Sequence, residues 1–218
     1  VVLNGSALYN QKILKDVMAS SQNEYQINPL GAYGVWSSDA SKHYYDAKRA
    51  LEELRVTAAR VLQEWPAPIG QALNQRDLSP ELSELIDKRD FLSDAVPIFA
   101  AMSVEGFLNF YGVLRLGETV YQTNFERCPL VPKLKALLRA CDDILVADNA
   151  PIITIARSVS DHRNSLAHPK TTALASTPDG ESGRPVPDDA ANTVLHMDEF
   201  FQQFQALVPE AAFMMPWK

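Results

Sequence analysis

The sequence predicts an all-α fold, a helical bundle of about five to seven helices around a buried central helix. Three observations carry this expectation. Apolar residues recur three and four apart over several long stretches, which is the period of a helix face. Capping residues and prolines punctuate those stretches as starts and stops. The stretch from about Ala95 to Leu116 is apolar nearly all round, as a helix in the middle of a bundle is. No segment reads as a β-strand, and no internal repeat is present.

The elements follow in order. Residues 6–20 make a short helix with Leu8, Ile13, Leu14, Val17 and Met18 available for burial. Residues 21–37, with Pro29, Gly31, Gly34 and several aromatics, read as an ordered loop. Ser38 or Asp39 caps a long helix to about Trp65, whose face is Tyr44, Ala47, Leu51, Leu54, Ala58, Val61 and Trp65. That spacing is a seam for another helix. The prolines of WPAP at 65–68 end it, and 69–77 is a linker. Ser79-Pro80-Glu81 starts the next helix with a capping hydroxyl, a first-turn Pro and an acid at the positive helix end. Leu82, Leu85 and Ile86 face inward there, and the apolar helix to Leu116 follows as a second one. Residues 117–131 are a connection. Pro132 opens a helix with Leu134, Leu137, Leu138, Cys141 and Leu145 inward, and Asp142, Asp143 and Asp148 crowd its end. Asp148 or Asn149 caps the helix that carries IITIARSVSDHRNSLAHP, 152–169. A loop over 170–188, rich in Thr, Ser, Gly and Pro, leads to a last helix capped by Asp188 or Asp189. That helix bears Val194, Met197, Phe201, Phe204 and Val208.

Length and composition bound the function. The 218 residues suffice for one domain or two small ones, with 46% hydrophobic and 22% charged residues, ordinary values for a soluble globular chain. The expected division is an N-terminal helical extension, 1–75, packing on a bundle, 76–218. A net charge of −7 argues against broad electrostatic nucleic-acid binding but leaves room for a small basic site. Cys128 and Cys141 have no metal spacing and read as reduced, semi-buried thiols of a cytoplasmic protein. No apolar run approaches a membrane span, and VVLNGSALYN has no signal-peptide pattern; lacking a starting Met, the chain reads as trimmed. No cofactor or metal is expected, since there is no phosphate-cradling Gly loop, zinc motif or nucleophile elbow. Asp142, Asp143 and Asp148 lack the spaced loop a cation needs. His43 and His162 are isolated and read as surface or partly buried side chains, and Phe200, Phe201 and Phe204 as packing.

The residues that carry chemistry lie at 163–168. Ile152, Ile155, Ala156, Val159 and Leu166 form one apolar face, and Arg163 occupies the position that continues it. A guanidinium on a core-facing phase is costly unless paired. Glu105 and Asn109, four apart on the apolar helix, pose the converse problem, so Glu105 is expected to be the counter-ion of Arg163, with general base as the alternative. Removing a truly buried partner would cost roughly 3–5 kcal/mol. Asn164 and His168 are four apart and share a face on a continuing helix. Arg163 lies about 7.5 Å below His168 along the axis, within the reach of a long side chain, so both can converge on one phosphate. Pro169 leaves His168 at the helix C-terminus, where the dipole favours the imidazolium. A plain C-terminal cap of basic residues before Pro reads equally well.

RNSLAHP at the end of a helix resembles the Arg-Asn-x-x-x-His motif of the HEPN superfamily, and SVEGFLNFY at 103–111 resembles the acid-bearing helix that precedes it there. The resemblance covers roughly 79–170. It implies an all-α bundle, often a homodimer, and metal-independent RNA cleavage, with Arg163 and His168 catalytic and Asn164 the polar residue beside the Arg. It also implies a toxin or phage-defence role, with an antitoxin or other protein partner. Cleavage by 2′-OH attack needs a base, an acid and a cation on the phosphate. One chain offers one well-placed His, so a site shared by two protomers is economical. The competing expectation is a non-catalytic helical interaction or nucleotide-binding module in which Arg163 and Glu105 are purely structural.

Overall fold

The computed structural model describes residues 28, 38–64, 79–167 and 187–217. The expected helix at 6–20, the loop at 21–37 apart from Asn28, the linker at 69–77, His168 and most of the loop 170–188 lie outside the described residues. Those described form an all-α bundle without strands: α1 (Ser38–Glu64), α2 (Pro80–Leu116), α3 (Glu118–Asn124), α4 (Leu130–Asp142), α5 (Pro151–Ala167), α6 (Pro187–Leu207) and a closing 3₁₀ turn (Pro209–Met214).

Helix α2 is the central element and is a single helix of 37 residues, where two were expected. Its start is as read: the Ser79 hydroxyl accepts from the Leu82 N–H, with Pro80 in the first turn. The helix continues through 87–95 because that stretch holds neither Gly nor Pro. Leu92, Ser93, Ala95 and Val96 carry the buried face across the expected break. By length and composition α2 is apolar enough to cross a membrane, contrary to the reading of the sequence. Much of its apolar surface is taken up by α1, α3, α4, α5 and α6, all of which pack on it, while Phe91, Ile98 and Met102 stay exposed. At its C-terminus the orphan carbonyls find donors. Asn28 donates its backbone N–H to Arg115 and its side-chain amide to Leu114, and Gly117 N–H bonds to Val113.

Helix α1 runs antiparallel to α2. Ser103 donates to the Ala40 carbonyl at one end, His43 stacks on Phe99, and Lys88 pairs with Glu53 further along. Ala40, Tyr44, Ala47, Leu51, Leu54 and Val61 are buried, while Ala58 of the expected seam is only partly so. This helix, from the expected N-terminal extension, shares one hydrophobic core with the rest of the bundle.

Two local departures shape the site. The connection 117–131 contains α3, set off by Gly117 at φ 79°. Gly112 lets α3 come close: a Cβ there would overlap the Tyr121 ring. Helix α4 ends at Asp142, because Asp143 turns left-handed at φ 58°. Leu145, expected to face inward, is therefore off the helical phase and 68% exposed. From α6, Phe200, Phe201 and Phe204 fill the core, with Phe204 and Phe201 edge-on to Phe107 at centroid distances of 4.8 and 5.3 Å. Burying each such ring contributes about 1.5–3 kcal/mol.

Candidate functional site

Arg163 lies in the last turn and a half of α5, on the face that packs against α2. Its Nη2 donates to Glu105 Oε2 at 3.1 Å. The pair is not buried as its phases suggested: the side chains are 37% and 36% exposed. Arg163 sits near the end of α5, where the apolar stripe has run out, so its guanidinium reaches Glu105 from the rim of the core.

Beneath this pair lies a layer that the sequence reading missed. Lys133, from α4, is 1% exposed. Its ammonium donates to Asn109 Oδ1 at 2.7 Å and lies 3.9 Å from Glu105 Oε1. Tyr121 of α3 also donates to Asn109 Oδ1. Glu105 is thus shared by two cations, Arg163 outside and Lys133 inside. Asn109 accepts from two donors, as an amide oxygen with two lone pairs can. Burial pushes the Lys133 ammonium below its ordinary range, against the pull of Glu105. Burial likewise pushes the Tyr121 hydroxyl and the Cys128 thiol up. A signal for Lys133 existed: it falls on the stripe of Leu130, Leu134, Leu137 and Cys141, the same reasoning that singled out Arg163.

Asn164, the next residue, points elsewhere. It is exposed, and its amide lies 3.4 Å from Ser160 Oγ. Successive helix residues diverge by about 100°, so Arg163 and Asn164 cannot share a face within α5. The structure brings together Arg163, Glu105 and Asn109 and leaves Asn164 apart; His168 lies outside the described residues. The opposite flank of α5 meets α6. Thr193 Oγ1 lies 2.7 Å from His162 Nδ1, and Ser158 Oγ lies 3.0 Å from His196 Nδ1. His162, read as isolated, is therefore half-buried with a defined partner.

A second polar cluster lies further along α2, about 15 Å from Glu105 at the helical rise. Arg115, its side chain 10% exposed, donates to Asp142 Oδ1 at 2.7 Å and to the Cys141 carbonyl, and Tyr111 donates to the other Asp142 oxygen. Burial, and after it the nearby Glu210, push the Asp142 carboxyl up to about 7. A recess of about 590 Å³ opens beside this cluster, lined also by Ile144, Val208 and Glu210. The three acids expected to crowd the end of α4 disperse onto separate cations: Asp142 on Arg115, Asp143 on Arg139 and Asp148 on Lys135. Cys128 and Cys141 are buried free thiols. Among the described residues no group of three or more side chains is arranged to hold a metal ion.

Fold and site together define a class: an all-α bundle in which an arginine near a helix end is held at half exposure by a carboxylate from the central helix. No family model, curated protein or solved structure matches the chain.

Proposed function

We propose that this protein is a HEPN-like, metal-independent endoribonuclease, a cytoplasmic homodimer with a composite site, acting as a toxin or phage-defence effector under the control of an antitoxin or other protein partner. The observation that carries the reading is Arg163, a half-exposed guanidinium within the RNSLAHP stretch, held by a carboxylate that Lys133 also engages. Because Glu105 is divided between two cations, the guanidinium keeps attraction for a phosphate. His168 would act as proton donor or acceptor beside it, and two protomers would supply two such groups. Asn164, exposed on the outer face, would contact the substrate rather than Arg163.

A second reading, a non-catalytic helical module, is favoured by the same pair seen from the other side: Arg163 already has an acceptor. The experiment that separates them is cleavage of RNA by the pure chain and by His168→Ala, with the fold checked by circular dichroism. Wild-type cleavage that disappears in the variant supports the nuclease. Cleavage indifferent to His168→Ala sinks it.

A further inference from the structure

The two cations that share Glu105 are held very differently. Oε2 accepts from Arg163 at 3.1 Å, and Oε1 lies 3.9 Å from the Lys133 ammonium. Lys133 is anchored. It is 1% exposed, and it donates to Asn109 Oδ1 at 2.7 Å, one turn along α2 from Glu105. Arg163 is the outer cation, more than a third exposed near the end of α5. Among the described residues, the contact with Glu105 is the one hydrogen bond its guanidinium makes. Most of its five N–H donors therefore remain for a second acceptor.

A phosphate and Glu105 compete for this guanidinium. If Arg163 turned to a phosphate and Glu105 had no other cation, a largely covered carboxylate would be left uncompensated, which is costly. Lys133 removes that obstacle because it stays behind. Its ammonium already faces the other carboxylate oxygen, and attraction across such a distance is stronger beside the core than in water.

We propose that Lys133 is a positioning residue of this site, holding the Glu105 carboxylate while Arg163 turns from it to an RNA phosphate. The inference rests on the nuclease reading above for the identity of the anion. Lys133 is buried and touches no substrate; it sets how tightly Arg163 is tied to Glu105 in the free chain. Without Lys133, Glu105 and Arg163 form an exclusive pair, and the phosphate competes less well. With Glu105 made neutral, Arg163 is hardly tied, and Lys133 ceases to matter. The two substitutions are therefore coupled, as neighbours in one network are. A plain loss of positive charge would instead weaken binding alike whether or not Glu105 is present.

The test measures binding with the full chain, apart from cleavage. A fluorescent 2′-O-methyl oligonucleotide, which lacks the attacking hydroxyl, is titrated by anisotropy with wild type, Lys133→Met, Glu105→Gln and the double variant. Lys133→Met should weaken binding about fivefold in the wild-type background. In the Glu105→Gln background the same change should alter affinity by less than about twofold. Binding by Lys133→Met equal to wild type, or an equal loss in both backgrounds, overturns the role of Lys133 and leaves the nuclease reading standing. Should Lys133→Met lose its helical circular dichroism, the wild-type chain decides. Its Lys133 ¹⁵Nζ resonance should move as the oligonucleotide saturates it and stay still in Arg163→Ala. A wild-type resonance unmoved at saturation overturns the inference alone. A wild type that does not bind the oligonucleotide overturns both the inference and the nuclease reading.

Discussion

The ammonium of Lys133 and the amide oxygen of Asn109 meet across 2.7 Å inside the bundle, with Lys133 only 1% exposed. A buried cation is tolerable only when its donors are satisfied, and Asn109 is the acceptor nearest to it. Asn109→Leu strands both the ammonium and the Tyr121 hydroxyl and should cost about 3–5 kcal/mol. Lys133→Met removes the charge and keeps most of the volume; it leaves Asn109 its Tyr121 donor and Glu105 its Arg163, so it should cost clearly less than Asn109→Leu. Urea unfolding of both variants reads this directly; the reverse order of stabilities would refute the assignment.

The same lysine predicts a pH dependence. Its pKa in the folded chain is lowered by burial from the ordinary 10.5, so the unfolded chain holds the proton more tightly. Stability from this group is therefore present above 10.5 and lost as pH falls through the lowered value. Wild type should gain on Lys133→Met as pH rises toward 10.5, in paired denaturation curves. A constant gap between the two curves would contradict it.

At the rim, Arg163 and Glu105 are each more than a third exposed, so solvent screens their attraction. Glu105→Gln should destabilise by only about 1 kcal/mol, well short of a buried-pair loss. It should also raise affinity for a short RNA, because the remaining amide oxygen is neutral and competes less for Arg163. Fluorescence anisotropy checks the second point, and weaker binding would place Glu105 on the substrate side instead.

Further along α2, Arg115 and Tyr111 together donate to Asp142 of α4. Asp142→Ala leaves a buried guanidinium without its carboxylate and should cost about 3 kcal/mol or more. Asp142→Asn keeps an acceptor and should cost clearly less. Thermal melts of the two variants should separate by several degrees, and coincident melts would mean that Arg115 finds another partner.

Gly112 has no room for a side chain, since a Cβ would overlap the Tyr121 ring. Gly112→Ala should destabilise by about 1–3 kcal/mol through overpacking. Shielding of Tyr121 from solvent, read by its fluorescence or by amide exchange in α3, should fall with it.

Much of this was legible beforehand where one residue type conflicted with its helical phase. Arg163 on an apolar stripe and Glu105 in an apolar helix each asked for an opposite charge, and they found each other. Ser79-Pro80 marked a helix start through local chemistry alone. Lys133 posed the same conflict, yet its long stem lets a lysine near a helix start pass for a surface residue. Its burial depends on α3 closing over it, which in turn depends on Gly112 and on a short helix hidden in a segment read as connection. Leu145 was misplaced because a left-handed Asp143 ends α4 without any Gly or Pro to announce it. The contact of His162 with Thr193 was beyond reach of the sequence, since it depends on how α5 and α6 pack.

Helix α2 carries Glu105, Asn109, Tyr111 and Arg115 on one unbroken stretch, with no Gly117-like break or proline between the first and last of them. It therefore behaves as a fixed jig: the acceptors of the first polar cluster and the donors of the second keep constant spacing and cannot be moved independently. A change of partner by Arg163 is therefore a movement of its own side chain or of the end of α5, not of the carboxylate it leaves behind.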